Sequence, residues 1–178
     1  MAIVQVQGVH HITLNGAGRQ ASIDFWQGVL GMSLVMEQPN LDDRNINHLY
    51  FDCGDGRLLT VFCEESRAPD GRLAQQVGSL HHLAFAVGQS SIRVAAERLK
   101  AAGLANSGIV DRGFMDSLYL REPLGLLVEL ACYKFDPPQG KTHGQVLMEA
   151  QKIRVARGAE EISDRDIADA LIALGPPA

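Results

Sequence analysis

Residues 8–16 read Gly-Val-His-His-Ile-Thr-Leu-Asn-Gly, and residues 78–87 read Gly-Ser-Leu-His-His-Leu-Ala-Phe-Ala-Val. Each double histidine opens a stretch that alternates in the manner of a β-strand. Behind each follows a Ser-Ile pair, Ser22-Ile23 and Ser91-Ile92, entering a helical pattern. One helix is expected over roughly 20–30, ended by Gly31, and its counterpart over 90–102, ended by Gly103. Leu-Tyr-Phe at 49–51 then matches Leu-Tyr-Leu at 118–120, and Leu-Leu-Thr-Val-Phe at 58–62 matches Leu-Leu-Val-Glu-Leu at 126–130. The histidine pairs lie 71 residues apart and the Leu-Tyr pairs 69, so between them the register drifts by only two. A repeat this regular sets the architecture. Each unit is expected to run strand, helix, then about three strands, giving an α+β fold of two βαβββ modules whose sheet curves into a cup.

Outward from the repeat, the modules are expected at 1–65 and 78–135, joined by a linker at 64–79 that carries the turn Pro69-Asp70-Gly71. Together they make one domain, 1–135. Pro137-Pro138 stops the last strand, and 136–178 is expected to be a C-terminal extension. It is read as polar through Gly158, with a terminal helix at about 164–174 carrying Ile167, Ala170, Leu171 and Leu174 in a stripe. No chemistry is assigned to it, and His143 within it is expected to be exposed.

Composition excludes several classes. The net charge is −5, with a pI of about 5.6. That leaves no concentrated Lys/Arg field for nucleic acid or for an anionic membrane surface. No apolar run reaches the ~18 residues of a membrane helix, and no signal peptide is expected. Cys53, Cys63 and Cys132 are an odd number without CxxC spacing, which suits reduced thiols packed as small apolar residues in a cytoplasmic protein.

Strand parity selects a site. Neighbouring side chains on a strand point to opposite faces. His10, Ile12 and Leu14 share one face of the first strand, leaving His11 and Thr13 on the other. In the repeat, Leu83, Phe85 and Val87 oppose His82, Ala84 and Ala86. In the last strand Leu126, Val128 and Leu130 oppose Leu127, Glu129 and Ala131. The bulkier apolar face belongs against the helix, so His11, His82 and Glu129 fall on the face that lines the cup. A lone strand histidine is commonly a satisfied core or surface residue. A carboxylate amid apolar strand residues, though, is costly without a cation or a strong partner. Two imidazoles and one carboxylate on a concave face suit a divalent metal. His48, Tyr50, Tyr119 and Arg121 are expected on the same face, while Asp42, Asp43 and Arg44 suit a turn with a local ion pair.

The double βαβββ pattern resembles the vicinal oxygen chelate superfamily, that is, the glyoxalase/bleomycin resistance/extradiol dioxygenase proteins. The motifs that carry the likeness are His-His-Ile-Thr-Leu (10–14), His-His-Leu-Ala-Phe-Ala-Val (81–87) and Ser-Leu-Tyr-Leu-Arg-Glu-Pro-Leu-Gly-Leu-Leu-Val-Glu-Leu (117–130), and it spans residues 8–135. Residues 40–56 and 111–125 are similar to a ring-cleaving branch related to hydroquinone dioxygenases, whose members are generally longer and built of four units. The resemblance implies a metal held by His11, His82 and Glu129. It implies Fe(II) or Mn(II), with Zn, Ni or Mg as alternatives. Thr60 stands where glyoxalases of the superfamily place a second carboxylate, which disfavours glyoxalase chemistry and leaves room for a chelating substrate and O2. His48 and Tyr119 match positions of the ring-cleaving branch and are expected to be catalytic, one moving a proton and the other donating a hydrogen bond. The expected function is an extradiol-type dioxygenase acting on an aromatic diol, a catechol or hydroquinone, in a homodimer. The alternatives are a non-redox metal enzyme, either a fosfomycin-resistance-type thiol transferase or a lyase/isomerase, and a metal-free ligand-sequestering protein.

Overall fold

In a computed structural model of the chain, which describes residues 4, 6–67 and 76–175, the alternation at His11 becomes strand β1 (His11–Gly16). Helix α1 (Arg19–Ile23) follows and continues as a π-helical turn over Asp24–Val29. The expected helix over 20–30 therefore widens midway, with Leu30 N–H bonding Phe25 O at 3.0 Å in an i→i−5 bond. Gly31, at φ 73°, ends it in a conformation that favours glycine. Strands β2 (Ser33–Pro39), β3 (Asn47–Asp52) and β4 (Leu58–Cys63) complete the repeat. They form a sheet ordered β1-β4-β3-β2, with β1 parallel to β4 and the other pairs antiparallel. Between β2 and β3, Asn40 Oδ1 accepts the backbone N–H of Asp42 at 2.7 Å, which builds the expected turn. Trp26, Leu49, Phe51, Leu59 and Val61 are buried in this repeat.

The second repeat has the same plan: β5 (Leu83–Ala86), α2 (Gln89–Ala101), β6 (Asn106–Asp111), β7 (Met115–Arg121) and β8 (Leu127–Tyr133), in sheet order β5-β8-β7-β6. Helix α2 packs on β6 and β8 and buries Ile92 and Leu99. On β8, Val128, Glu129 and Leu130 are all buried, between half-buried Leu127 and Ala131, so the carboxylate is enclosed on its own face as well. The α+β fold of two βαβββ repeats with C-terminal helices is thus the one expected. The described residues gather into two compact units, one comprising residues up to 81 with 121–126, the other 82–120 with 127 onward.

The extension holds one helix more than expected. Helix α3 (His143–Ala156) precedes α4 (Asp164–Leu174), and each begins with a capping box, Thr142 with Gln145 and Ser163 with Asp166. The two helices pair through Val146, Ala150, Ile167 and Ala170, and Phe114 and Phe135 pack against that small core. The three cysteines are free, Cys63 and Cys132 buried and Cys53 half-buried. Among the described residues no helix is long and apolar enough to cross a membrane. The expected turn at Pro69-Asp70-Gly71 lies outside the described residues.

Candidate functional site

In the second unit, β8 fixes Glu129 between two buried apolar neighbours, and its side chain is only 4% exposed. A carboxylate so enclosed needs partners for both oxygens. Tyr119, from β7, donates its hydroxyl to Glu129 Oε1 at 3.0 Å. His82, just ahead of β5, places Nε2 2.9 Å from Glu129 Oε2. Arg112, at the β6–β7 turn, donates to the Tyr119 hydroxyl at 3.3 Å, with its guanidinium carbon 5.4 Å from the centre of the Tyr119 ring. Arg112, Tyr119 and Glu129 thus form a relay in which each group accepts from the one before. Sequence parity points to Tyr119 and Glu129 but not to Arg112, which lies in the turn beyond β6, where alternation assigns no face.

In the first unit the corresponding row is neutral. Registers place Thr13 beside Thr60 and Tyr50 across from Thr60. Thr60, buried where the second repeat has Glu129, donates to Thr13 Oγ1 at 2.8 Å. His48 shares a hydrogen bond between its Nδ1 and the Tyr50 hydroxyl at 2.8 Å, and its Nε2 is buried without a hydrogen-bond partner. Burial, together with the neighbouring His11 imidazole, holds His48 below its ordinary pKa. His11 itself sits at the start of β1 with Nδ1 2.8 Å from His10 Nδ1. Arg121, expected on the cup face, donates instead to the Gly125 carbonyl and braces the turn that leads to β8.

Among the described residues no three His, Cys, Asp or Glu side chains are gathered as a metal would need. His82 and Glu129 stand together in the second unit, and His11 belongs to the first. The donor pair in the second unit fits a divalent cation. His82 Nε2 and Glu129 Oε2 face each other at 2.9 Å, and a neutral imidazole nitrogen and a carboxylate oxygen are both donor atoms that divalent cations take.

A cavity of about 910 Å³ opens from this pair. It begins at His82 and Glu129 and extends to Tyr133, Phe135 and His143. The volume lies at the upper end of the roughly 300–1,000 Å³ of small-molecule sites. His143, expected to be exposed, is half-buried and stacked on Tyr133.

The family profile described as Glyoxalase/Bleomycin resistance protein/Dioxygenase superfamily matches residues 8–130. The chain belongs to this superfamily. Within the glyoxalase/dioxygenase superfamily it is similar to the Bacillus subtilis (strain 168) protein named "Putative ring-cleaving dioxygenase MhqA", with 27% identity over 145 residues that cover 79% of this chain and 44% of MhqA. A crystal structure named "putative dioxygenase", also from Bacillus subtilis, superposes with a TM-score of 0.62 at 26% identity, covering 76% of this chain and 43% of that one. The chain therefore spans less than half the length of these relatives. The fosfomycin resistance protein FosX of Listeria monocytogenes, solved with Mn(II), shares the fold at a TM-score of 0.57 and 20% identity, over 80% of this chain and 99% of FosX.

Proposed function

We propose that this superfamily member is a divalent-metal-dependent dioxygenase that cleaves the ring of a catechol or hydroquinone. His11, His82 and Glu129 hold the metal, which is Fe(II) or Mn(II). The observation that carries the reading is Glu129: an enclosed carboxylate with His82 on one oxygen and the Tyr119 hydroxyl on the other. Likeness to relatives named for ring cleavage supports the reaction class. Bound at these residues, such a metal would supply a place for substrate oxygen (both hydroxyls of a catechol, one of a hydroquinone) and O2 to exchange electrons.

The chain's own groups prepare that chemistry. Tyr119 fixes the rotamer of Glu129 and is itself fixed by Arg112, so the carboxylate is oriented before any ligand arrives. If His11 donates its Nδ1 proton to His10, its Nε2 lone pair is left for the metal. Burial and the neighbouring His11 imidazole hold the His48 pKa down, and its Nδ1 is tied to the Tyr50 hydroxyl, so the His48–Tyr50 pair is the group assigned to move a proton to or from the substrate. Thr60 keeps its position uncharged and leaves space for an anionic diol. The first repeat supplies His11 and the second supplies His82 and Glu129, from one chain or from two copies in a homodimer.

Protein loaded anaerobically with Fe(II) should consume O2 when given members of a panel of catechols and hydroquinones, and ring-opened products should form. No uptake with any member, together with addition of a thiol to an epoxide by Mn(II)- or Mg(II)-loaded protein, would replace the dioxygenase with a transferase.

A further inference from the structure

Small residues line much of the cavity beside His82 and Glu129. The positions that parity sends there, Ala84 and Ala86 on β5 and Ala131 on β8, carry only methyl groups, and all three line the 910 Å³ cavity. Three rings also line it, Tyr133, Phe135 and His143. Tyr133 shares the Glu129 face of β8 four residues on, about 13 Å along the strand. His143 stacks on Tyr133 with centroids 4.1 Å apart and planes 15° apart, and Phe135 lies 5.3 Å from His143 and 5.4 Å from Tyr133. These rings are held from outside the βαβββ repeat. Phe135 packs against the α3–α4 core, and His143 is the first residue of α3, just inside the Thr142 cap. One dihydroxybenzene ring held at His82 and Glu129 does not reach that wall.

We propose that the C-terminal extension completes the substrate site: His143, with Tyr133 and Phe135, forms a specificity-determining wall that takes an aromatic substituent carried by the diol on the side away from its two oxygens. The inference rests on the dioxygenase reading only for where the diol sits. The three rings offer polarizable faces and edges, and Asp136 lines the same cavity, which suits a second ring better than an anionic group. Neither Tyr133 nor His143 needs to touch the reacting atoms.

The test uses the full chain loaded with Mn(II) without O2, and calorimetric titration with three ligands: catechol, 4-phenylcatechol, and 3,4-dimethoxybiphenyl, which has both rings but cannot chelate through ionised oxygens. Wild type should bind 4-phenylcatechol about 10- to 100-fold more tightly than catechol, the range that filling an apolar pocket gives. His143→Ala should bring the two ligands to within about threefold while leaving catechol affinity nearly unchanged, since only the stacked ring is removed. His143→Phe, which keeps a ring without a titratable nitrogen, should retain the preference, as stacking rather than charge is at issue. Equal affinities in wild type, or a preference that survives His143→Ala, would overturn the wall while leaving the dioxygenase reading standing. If no catechol binds but dimethoxybiphenyl does, and His143→Ala abolishes that binding, the wall stands and the diol reading fails.

Discussion

The Tyr119 hydroxyl lies 3.0 Å from Glu129 Oε1, a neutral donor given to a carboxylate that apolar neighbours enclose. A neutral donor fixes the geometry of the carboxylate without cancelling its charge, which remains available to a cation. The first repeat shows the contrast. Thr60, at the position of Glu129, is satisfied by the Thr13 hydroxyl alone and has no charge to offer. One βαβββ plan thus carries a charged row in its second copy and an uncharged row in its first.

Tyr119→Phe should weaken metal binding or turnover by about 10- to 100-fold, the usual cost of losing a group that orients a metal ligand. Arg112→Met should produce a smaller loss in the same direction, because it acts only through Tyr119. Competition with a chelator of known affinity reads both.

His48→Ala should slow kcat by roughly 10²-fold or more if His48 is the principal acid-base group. Metal content should be unchanged, because His48 is not among the proposed ligands. A loss of metal in proportion to activity would assign His48 to the metal instead.

At Thr60 the structure separates two variants. Thr60→Val removes the hydrogen bond to Thr13 and should cost about 0.5–1.5 kcal/mol of stability in urea unfolding, with metal content retained. Thr60→Glu introduces a carboxylate at a buried position. It should both destabilise the fold and depress dioxygenase activity, by placing negative charge beside an anionic substrate.

Acid stability should depend in part on Glu37. Arg19 Nε bonds Glu37 Oε1 at 2.6 Å and Asn47 donates to the same oxygen, which together hold the Glu37 carboxyl at about 2, below its ordinary 4.5. A lowered folded-state value stabilises the fold above the unfolded pKa. That contribution is lost as pH falls from about 4.5 through about 2. Glu37→Gln should therefore be less stable at neutral pH by no more than about 1 kcal/mol, since the side chain is solvent-screened. Its stability should converge on wild type near pH 2. Urea midpoints measured between pH 2 and 7 follow the difference.

Several of these residues were legible in the sequence for definite reasons. Glu129 stands out because a charge interrupts an apolar strand, and His82 and Tyr119 because the repeat and period-two parity fix their face. His48 and Tyr50 meet because residues two apart on a strand share a side. Arg112 was hidden because it lies in the turn beyond β6, where alternation assigns no face. Helix α3 was hidden because its apolar residues surround its axis. Val146 and Ala150 are buried, while Met148 and Val155 face solvent, so no stripe marks the buried side. Without that helix nothing in the sequence brought His143 to Tyr133. The expected helix over 20–30 was correct in place, but its π-helical turn follows from an i→i−5 bond that side-chain pattern does not encode.

A metal held by His11, His82 and Glu129 can be read from metal stoichiometry after anaerobic loading with Fe(II) and removal of free ion. Wild type should retain about one equivalent per set of three ligands. His11→Ala, His82→Ala and Glu129→Ala should each lose high-affinity binding while circular dichroism shows the fold intact, and His10→Ala should keep the metal. Retention of the same equivalent by folded Glu129→Ala protein, or its loss in His10→Ala but not in His11→Ala, would contradict the account.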